Sequence, residues 1–117
     1  MTMTLDEFQR GALRTVNGSL NERDRLLDAA AGLSEEASEV LGLVRKQVFQ
    51  GRVIDKSRLA EELGDVLWCL AVAAESLGLS LGDIAEANQA KLNARHPNGF
   101  ESRSMRTTDM WSRSELE

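Results

Sequence analysis

Two stretches of this chain are near-copies of each other, 26 residues apart. Leu33-Ser-Glu-Glu-Ala-Ser-Glu-Val-Leu41 lies over Leu59-Ala-Glu-Glu-Leu-Gly-Asp-Val-Leu67, so Glu35, Glu36 and Glu39 match Glu61, Glu62 and Asp65. Leucines and valines flank the carboxylates in both copies at helical spacing. At about 100° per residue each copy is a helix with an apolar stripe and acids at its border. Glu36 and Glu39 then sit about 60° apart, as do Glu62 and Asp65. Antiparallel packing through the apolar stripes would bring the two acid pairs together along one edge.

The rest of the chain agrees with helices. Leucine and alanine number 30 against 9 valine plus isoleucine, tyrosine is absent, and Pro97 is the only proline. That composition favours helix over strand, and 117 residues suffice for one core. Four segments follow from spacing and stop signals. The first runs from Thr4 to Val16 and ends at Asn17-Gly18. The second runs from Asp24 to Phe49, with Gly32-Leu33-Ser34 as a place to break it in two and Ser34 as cap of the later piece. The third spans Lys56 to Leu77, capped by Asp55 or Ser57 and stopped by Gly78. The fourth runs from Leu81 to Arg95, with Ser80 as cap and Pro97 beyond its end. Short connections make neighbours antiparallel, which predicts an all-α, four-helix-bundle-like domain over residues 1–100. From Glu101 the chain turns polar and Ser/Arg-rich, reading as an arm over residues 101–117.

Charge and apolar runs exclude several functions. The longest apolar run, Val66 to Ala74, is about half a membrane span. Asp6 and Glu7 stand where a signal peptide would be basic and then apolar. A single cysteine, Cys69, permits no intrachain disulfide, and a reduced, cytoplasmic setting is expected. The net charge of −5 argues against DNA binding. It leaves room for a phosphate ligand held through a divalent cation.

The acids supply the means. No lysine or arginine interrupts 35–39 or 61–65, whereas a helix face built for solubility mixes signs. Clustered carboxylates of this kind call for a hard cation, Mg²⁺, Mn²⁺ or Ca²⁺. Such ions hold phosphates and activate water. Asn88, Lys91 and Arg95, three and four residues apart, share one face of the fourth helix and could hold phosphates, as could Lys46. A solvated polar face is the competing reading of Lys91 and Arg95. Trp68, off the main apolar stripe, suits a subunit interface or, less readily, stacking on a base. Phe8 and Cys69 read as core, and His96 has no second histidine or thiol beside it to make a metal site.

Glu36-x-x-Glu39 and Glu62-x-x-Asp65, followed by Asn88-x-x-Lys91-x-x-x-Arg95 and Pro97-x-Gly-Phe100, resemble the MazG-like all-α nucleoside triphosphate pyrophosphohydrolases over about Leu26 to Phe100. Ser38, where many relatives have glycine, is one departure. The resemblance implies cleavage of the α–β phosphate bond of a nucleoside triphosphate, giving a monophosphate and pyrophosphate, in nucleotide-pool control or housecleaning. It implies Mg²⁺, with Mn²⁺ as substitute, on Glu36, Glu39, Glu62 and Asp65, and Glu35 as the base acting on water. Asn88, Lys91 and Arg95 would contact phosphate or ribose. Homodimers or tetramers are implied as well, with a nucleotide pocket completed by the partner. Two alternatives stay open: a phosphoribosyl-ATP pyrophosphohydrolase on the same scaffold, and a non-catalytic helical metal- or nucleotide-binding module.

Overall fold

A computed structural model describes residues 2–101; the foreseen arm, apart from Glu101, lies outside them. Four α-helices make up the described chain: α1 (Leu5–Ala12), α2 (Glu22–Phe49), α3 (Lys56–Ser76) and α4 (Leu81–Arg95). No strand occurs among the described residues, so the all-α expectation holds. The chain divides into two compact units, Met1–Ile84 and Ala85–Glu117.

Local chemistry explains most boundaries. Thr4 and Glu7 form a reciprocal capping box at the start of α1, Thr4 Oγ1 accepting from Glu7 N at 3.0 Å and Glu7 Oε1 from Thr4 N at 2.7 Å. Both bonds hold the Glu7 carboxyl below the ordinary glutamate range. The helix ends earlier than foreseen, at Ala12, because residues Leu13–Thr15 tighten into a 3₁₀ turn before Val16 becomes extended. Asn21 caps α2 through Asp24 N at 2.8 Å, so α2 starts at Glu22, two residues before the expected Asp24. Asp55 caps α3 through Arg58 N at 3.2 Å and Ser80 caps α4 through Asp83 N at 3.0 Å. Gly51 and Gly78 close α2 and α3 with φ of 66° and 72°, a region that costs little only for glycine.

One break did not occur. α2 is a single 28-residue helix that passes straight through Gly32-Leu33-Ser34, and Ser34 caps nothing. A mid-helix glycine costs roughly 0.5–1 kcal/mol relative to alanine, but here the missing side chain serves packing. A Cβ on Gly32 would stand 3.1 Å from Cys69 Sγ, so glycine lets α3 come close.

α2 and α3 run antiparallel. Gly32 meets Cys69, Glu39 meets Glu62, and Gln47 Oε1 accepts from Asp55 N at 3.2 Å, so one helix advances as the other retreats. A small core of Ala12, Ala71, Ala74 and Leu81 is covered by Phe8 and Trp68. Phe8 and Cys69 are thus packing residues, as foreseen. Gln9, 5% exposed, ties α1 to the α3–α4 connection: its Nε2 donates to Glu75 Oε1 and Leu79 O, both at 2.9 Å, and its Oε1 accepts from Leu81 N at 2.6 Å. Asp6 Oδ1 accepts from Gly82 N at 2.9 Å alongside it.

Candidate metal and nucleotide site

The antiparallel register sets the two sequence copies head to tail. Glu36 comes opposite Asp65, and Glu39 opposite Glu62. One carboxylate oxygen from each of Glu36, Glu62 and Asp65 lies within 4.8 Å of the others. Glu36 and Glu62 are half-buried while Asp65 is exposed, so the first acid of each pair leans inward, as its place at the stripe border requires. Glu36 Oε2 and Glu62 Oε2 are both buried without a hydrogen-bond partner. A buried oxygen left bare is costly unless something else satisfies it. Three converging carboxylates with two bare oxygens fit a hard divalent cation.

Glu39, the fourth expected ligand, is not among the three converging carboxylates; it is exposed and meets Glu62. Its carboxyl is pushed above the ordinary glutamate range, first by a hydrogen bond with Glu62 and then by that residue's charge, by burial and by Asp65. Arg58 acts in the opposite direction. It stands four residues before Glu62 and seven before Asp65, on the same face of α3. Its spacing is visible in the sequence, but it lies outside the repeated acid blocks.

Beside the acids lies an open cleft of about 380 Å³ lined by Asp28, Gly32, Glu35, Glu36, Asp65, Trp68 and Cys69. Burial pushes the Cys69 thiol up, and the charges of Glu36, Asp65, Asp28 and Glu35 add to it. Glu35 is exposed and faces this cleft, next to Glu36. Its counterpart Glu61 is exposed and does not line it, so the echo is unequal in use. Trp68 is half-buried, packs on the chain's own core, and donates from Nε1 to Thr15 Oγ1 at 2.8 Å. The contacts observed for it are therefore within the chain. Asp28 was missed, although it precedes Gly32 by four residues and Glu36 by eight and so shares their face.

Lys46 is not among the residues of this cleft. It lines a separate recess of about 240 Å³ with Gly42, Arg45, Phe49 and Gln50, seven residues beyond Glu39. Asn88, Lys91 and Arg95 are exposed on α4, within the second unit, and share one face there by their spacing. His96 is half-buried with its Nδ1 unpartnered.

No single helix among the described residues is long and apolar enough to cross a membrane. Comparison with known proteins gives a consistent family result. Residues 26–100 match the MazG nucleotide pyrophosphohydrolase domain. The chain is also similar to the uncharacterized protein YvdC of Bacillus subtilis (strain 168), at 36% identity over 72 residues, covering 54% of this chain and 68% of that protein. No solved structure matches it. The family match spans the paired carboxylates, the cleft and the face carrying Asn88, Lys91 and Arg95, and the chain belongs to the MazG nucleotide pyrophosphohydrolase domain family.

Proposed function

We propose that this protein is a divalent-metal-dependent nucleoside triphosphate pyrophosphohydrolase, using Mg²⁺ or, as a substitute, Mn²⁺. The observation that carries the reading is the convergence of Glu36, Glu62 and Asp65 with two bare, buried oxygens beside an open cleft. Glu36, Glu39, Glu62 and Asp65 would hold the metal. When bound, it supplies positive charge for the phosphates and makes water a better nucleophile.

The side chains divide the remaining work. Glu35, exposed at the cleft beside Glu36, accepts the proton of the attacking water. The water oxygen forms a bond to the α-phosphorus, the bond from that phosphorus to the α–β bridging oxygen breaks, and the electron pair leaves with pyrophosphate. A nucleoside monophosphate stays behind. Arg58, close enough to bias Glu39, is a cation for the leaving group. Lys46 and the face of Asn88, Lys91 and Arg95 are further phosphate or ribose contacts in this reading.

The working form is a homodimer or a tetramer. Leu63 and Leu70 on α3 and Leu77 at its C-cap recur every seven residues at 56%, 39% and 57% exposure, and Leu27, Leu41 and Val48 share a seven-residue register on α2. Repeated exposed leucines on helix faces suit burial against a second copy. The cleft in the first unit is lined by acids with no lysine or arginine, so phosphate-binding cations must come from beyond its walls.

The test is pyrophosphate release from ribo-, deoxyribo- and modified triphosphates, and from phosphoribosyl-ATP, in Mg²⁺, Mn²⁺ or EDTA. Metal-dependent pyrophosphate release from a nucleoside triphosphate, abolished by Glu36→Gln, is expected. Release of orthophosphate alone would overturn the reading. So would turnover confined to phosphoribosyl-ATP, or metal binding with no turnover. Light scattering of the wild type against Leu70→Glu tests the oligomer.

A further inference from the structure

The acids proposed to hold a metal are only part of the cleft lining. The rest includes Asp28 and Gly32, on the N-terminal side of Glu36, with Cys69 and Trp68 from α3. Asp28 lies eight residues before Glu36, about 12 Å along α2 at 1.5 Å per residue. That places a lone carboxylate one nucleoside's reach from the metal-binding end. Between the two, Gly32 lines the cleft where α2 packs closely on Cys69.

Trp68 forms the wall. Its indole N–H donates to Thr15 Oγ1, whose own hydroxyl donates to Ala12 O at 3.0 Å, so one hydrogen bond with an anchored acceptor orients the ring. The side chain also packs against the small buried core. A fixed, half-buried indole in a 380 Å³ cleft is a stacking surface for a flat heterocycle. With its donor already used, the indole supplies no edge recognition. That leaves Asp28, which at neutral pH only accepts hydrogen bonds.

We infer that Trp68 and Asp28 form the base subsite of this enzyme, and that Asp28 selects triphosphates whose base carries an exocyclic amino group. The inference rests on the pyrophosphohydrolase reading of the neighbouring acids. Cytosine, adenine and guanine each present an amino N–H to a carboxylate. Uracil and thymine offer only N3–H, set between two carbonyl oxygens that a carboxylate repels. Cytidine and uridine nucleotides therefore make the cleanest comparison, since they are nearly identical in size and differ at that edge.

Two measurements test it, both on the full chain. In the first, kcat/KM for pyrophosphate release from CTP exceeds that from UTP by about tenfold, a typical yield of one unpaired polar contact. Asp28→Ala brings that ratio to within about threefold, chiefly by loss on CTP. In the second, CMP with Mg²⁺ quenches Trp68 emission in a Trp111→Phe background and binds about tenfold tighter than UMP. Asp28→Ala removes that difference while quenching persists. Equal kcat/KM for CTP and UTP, or no quenching by either monophosphate, overturns the inference. So does an equal loss on both substrates in Asp28→Ala together with a raised Mg²⁺ requirement, which would make Asp28 a metal ligand. Quenching that favours CMP with no turnover of any triphosphate supports the base subsite and overturns the pyrophosphohydrolase reading instead.

Discussion

Replacing Glu62 by glutamine should stabilise the metal-free protein while destroying its response to metal. Glu62 faces Glu36 and Asp65 with carboxylate oxygens no more than 4.8 Å apart. At that separation one pair of like charges repels by about 0.9 kcal/mol in bulk water and about 3.5 kcal/mol at an effective dielectric of 20. Glu62 is half-buried and Asp65 exposed, so the lower end of this range applies. Relief of two such pairs, after screening by salt, is worth roughly 1–3 kcal/mol. For a domain of this size that raises the Tm of the EDTA-treated protein by roughly 5–15 °C. Wild type, by contrast, gains about 2.7 kcal/mol when Mg²⁺ is present at a hundred times its Kd. The assay is thermal unfolding of both proteins in EDTA and across a Mg²⁺ series. A Glu62→Gln protein that melts below wild type in EDTA would refute the argument that uncompensated charge strains the site. An undiminished Mg²⁺ response would remove Glu62 from the ligand set.

Glu35→Gln should lower kcat by about 10²–10⁴ while leaving the Mg²⁺ shift in Tm intact, because its role is proton transfer and not metal binding; loss of the thermal shift would move it among the ligands. Metal affinity should fall on mild acidification, beginning above the ordinary glutamate range, since the Glu39 carboxyl is held up by Glu62. Because that folded-state value is raised, Glu39 destabilises the metal-free protein as pH climbs through it, so that protein gains stability on mild acidification, an effect that Glu39→Gln removes in EDTA melts. Gln9→Ala, which strips three partners from the α1 anchor, should cost about 3 kcal/mol, at 1–3 kcal/mol per orphaned buried group, and a denaturant midpoint within error of wild type would refute that role. Cys69, nearly buried and ringed by carboxylates, should alkylate far more slowly in the native protein than in the unfolded chain, as iodoacetamide labelling followed by mass measurement would reveal.

Much of this could be read along the chain. Helical spacing, Asp55 and Ser80 as caps, and Gly51 and Gly78 as stops are local chemistry, and the structure keeps them. The 26-residue echo fixed which face of each helix carries acids, because a helix face is a property of a few consecutive residues. Gly32 misled, since its local cost argued for a break. Its benefit, the approach of Cys69 Sγ, comes from a residue 37 positions away.

Periodicity names a face but not its neighbour. Only packing in the antiparallel register set Glu36 against Asp65 and Glu39 against Glu62, leaving two buried oxygens without partners. Asp28 and Arg58 sat outside the repeated blocks and gained meaning only when the opposite helix supplied the rest of the cleft or the charge it acts on. The bonds from Trp68 to Thr15 and from Gln9 to Leu81 span 53 and 72 residues, and no short-range pattern encodes them. They form because buried donors and acceptors must find partners, and which partners are within reach is decided only when the helices pack.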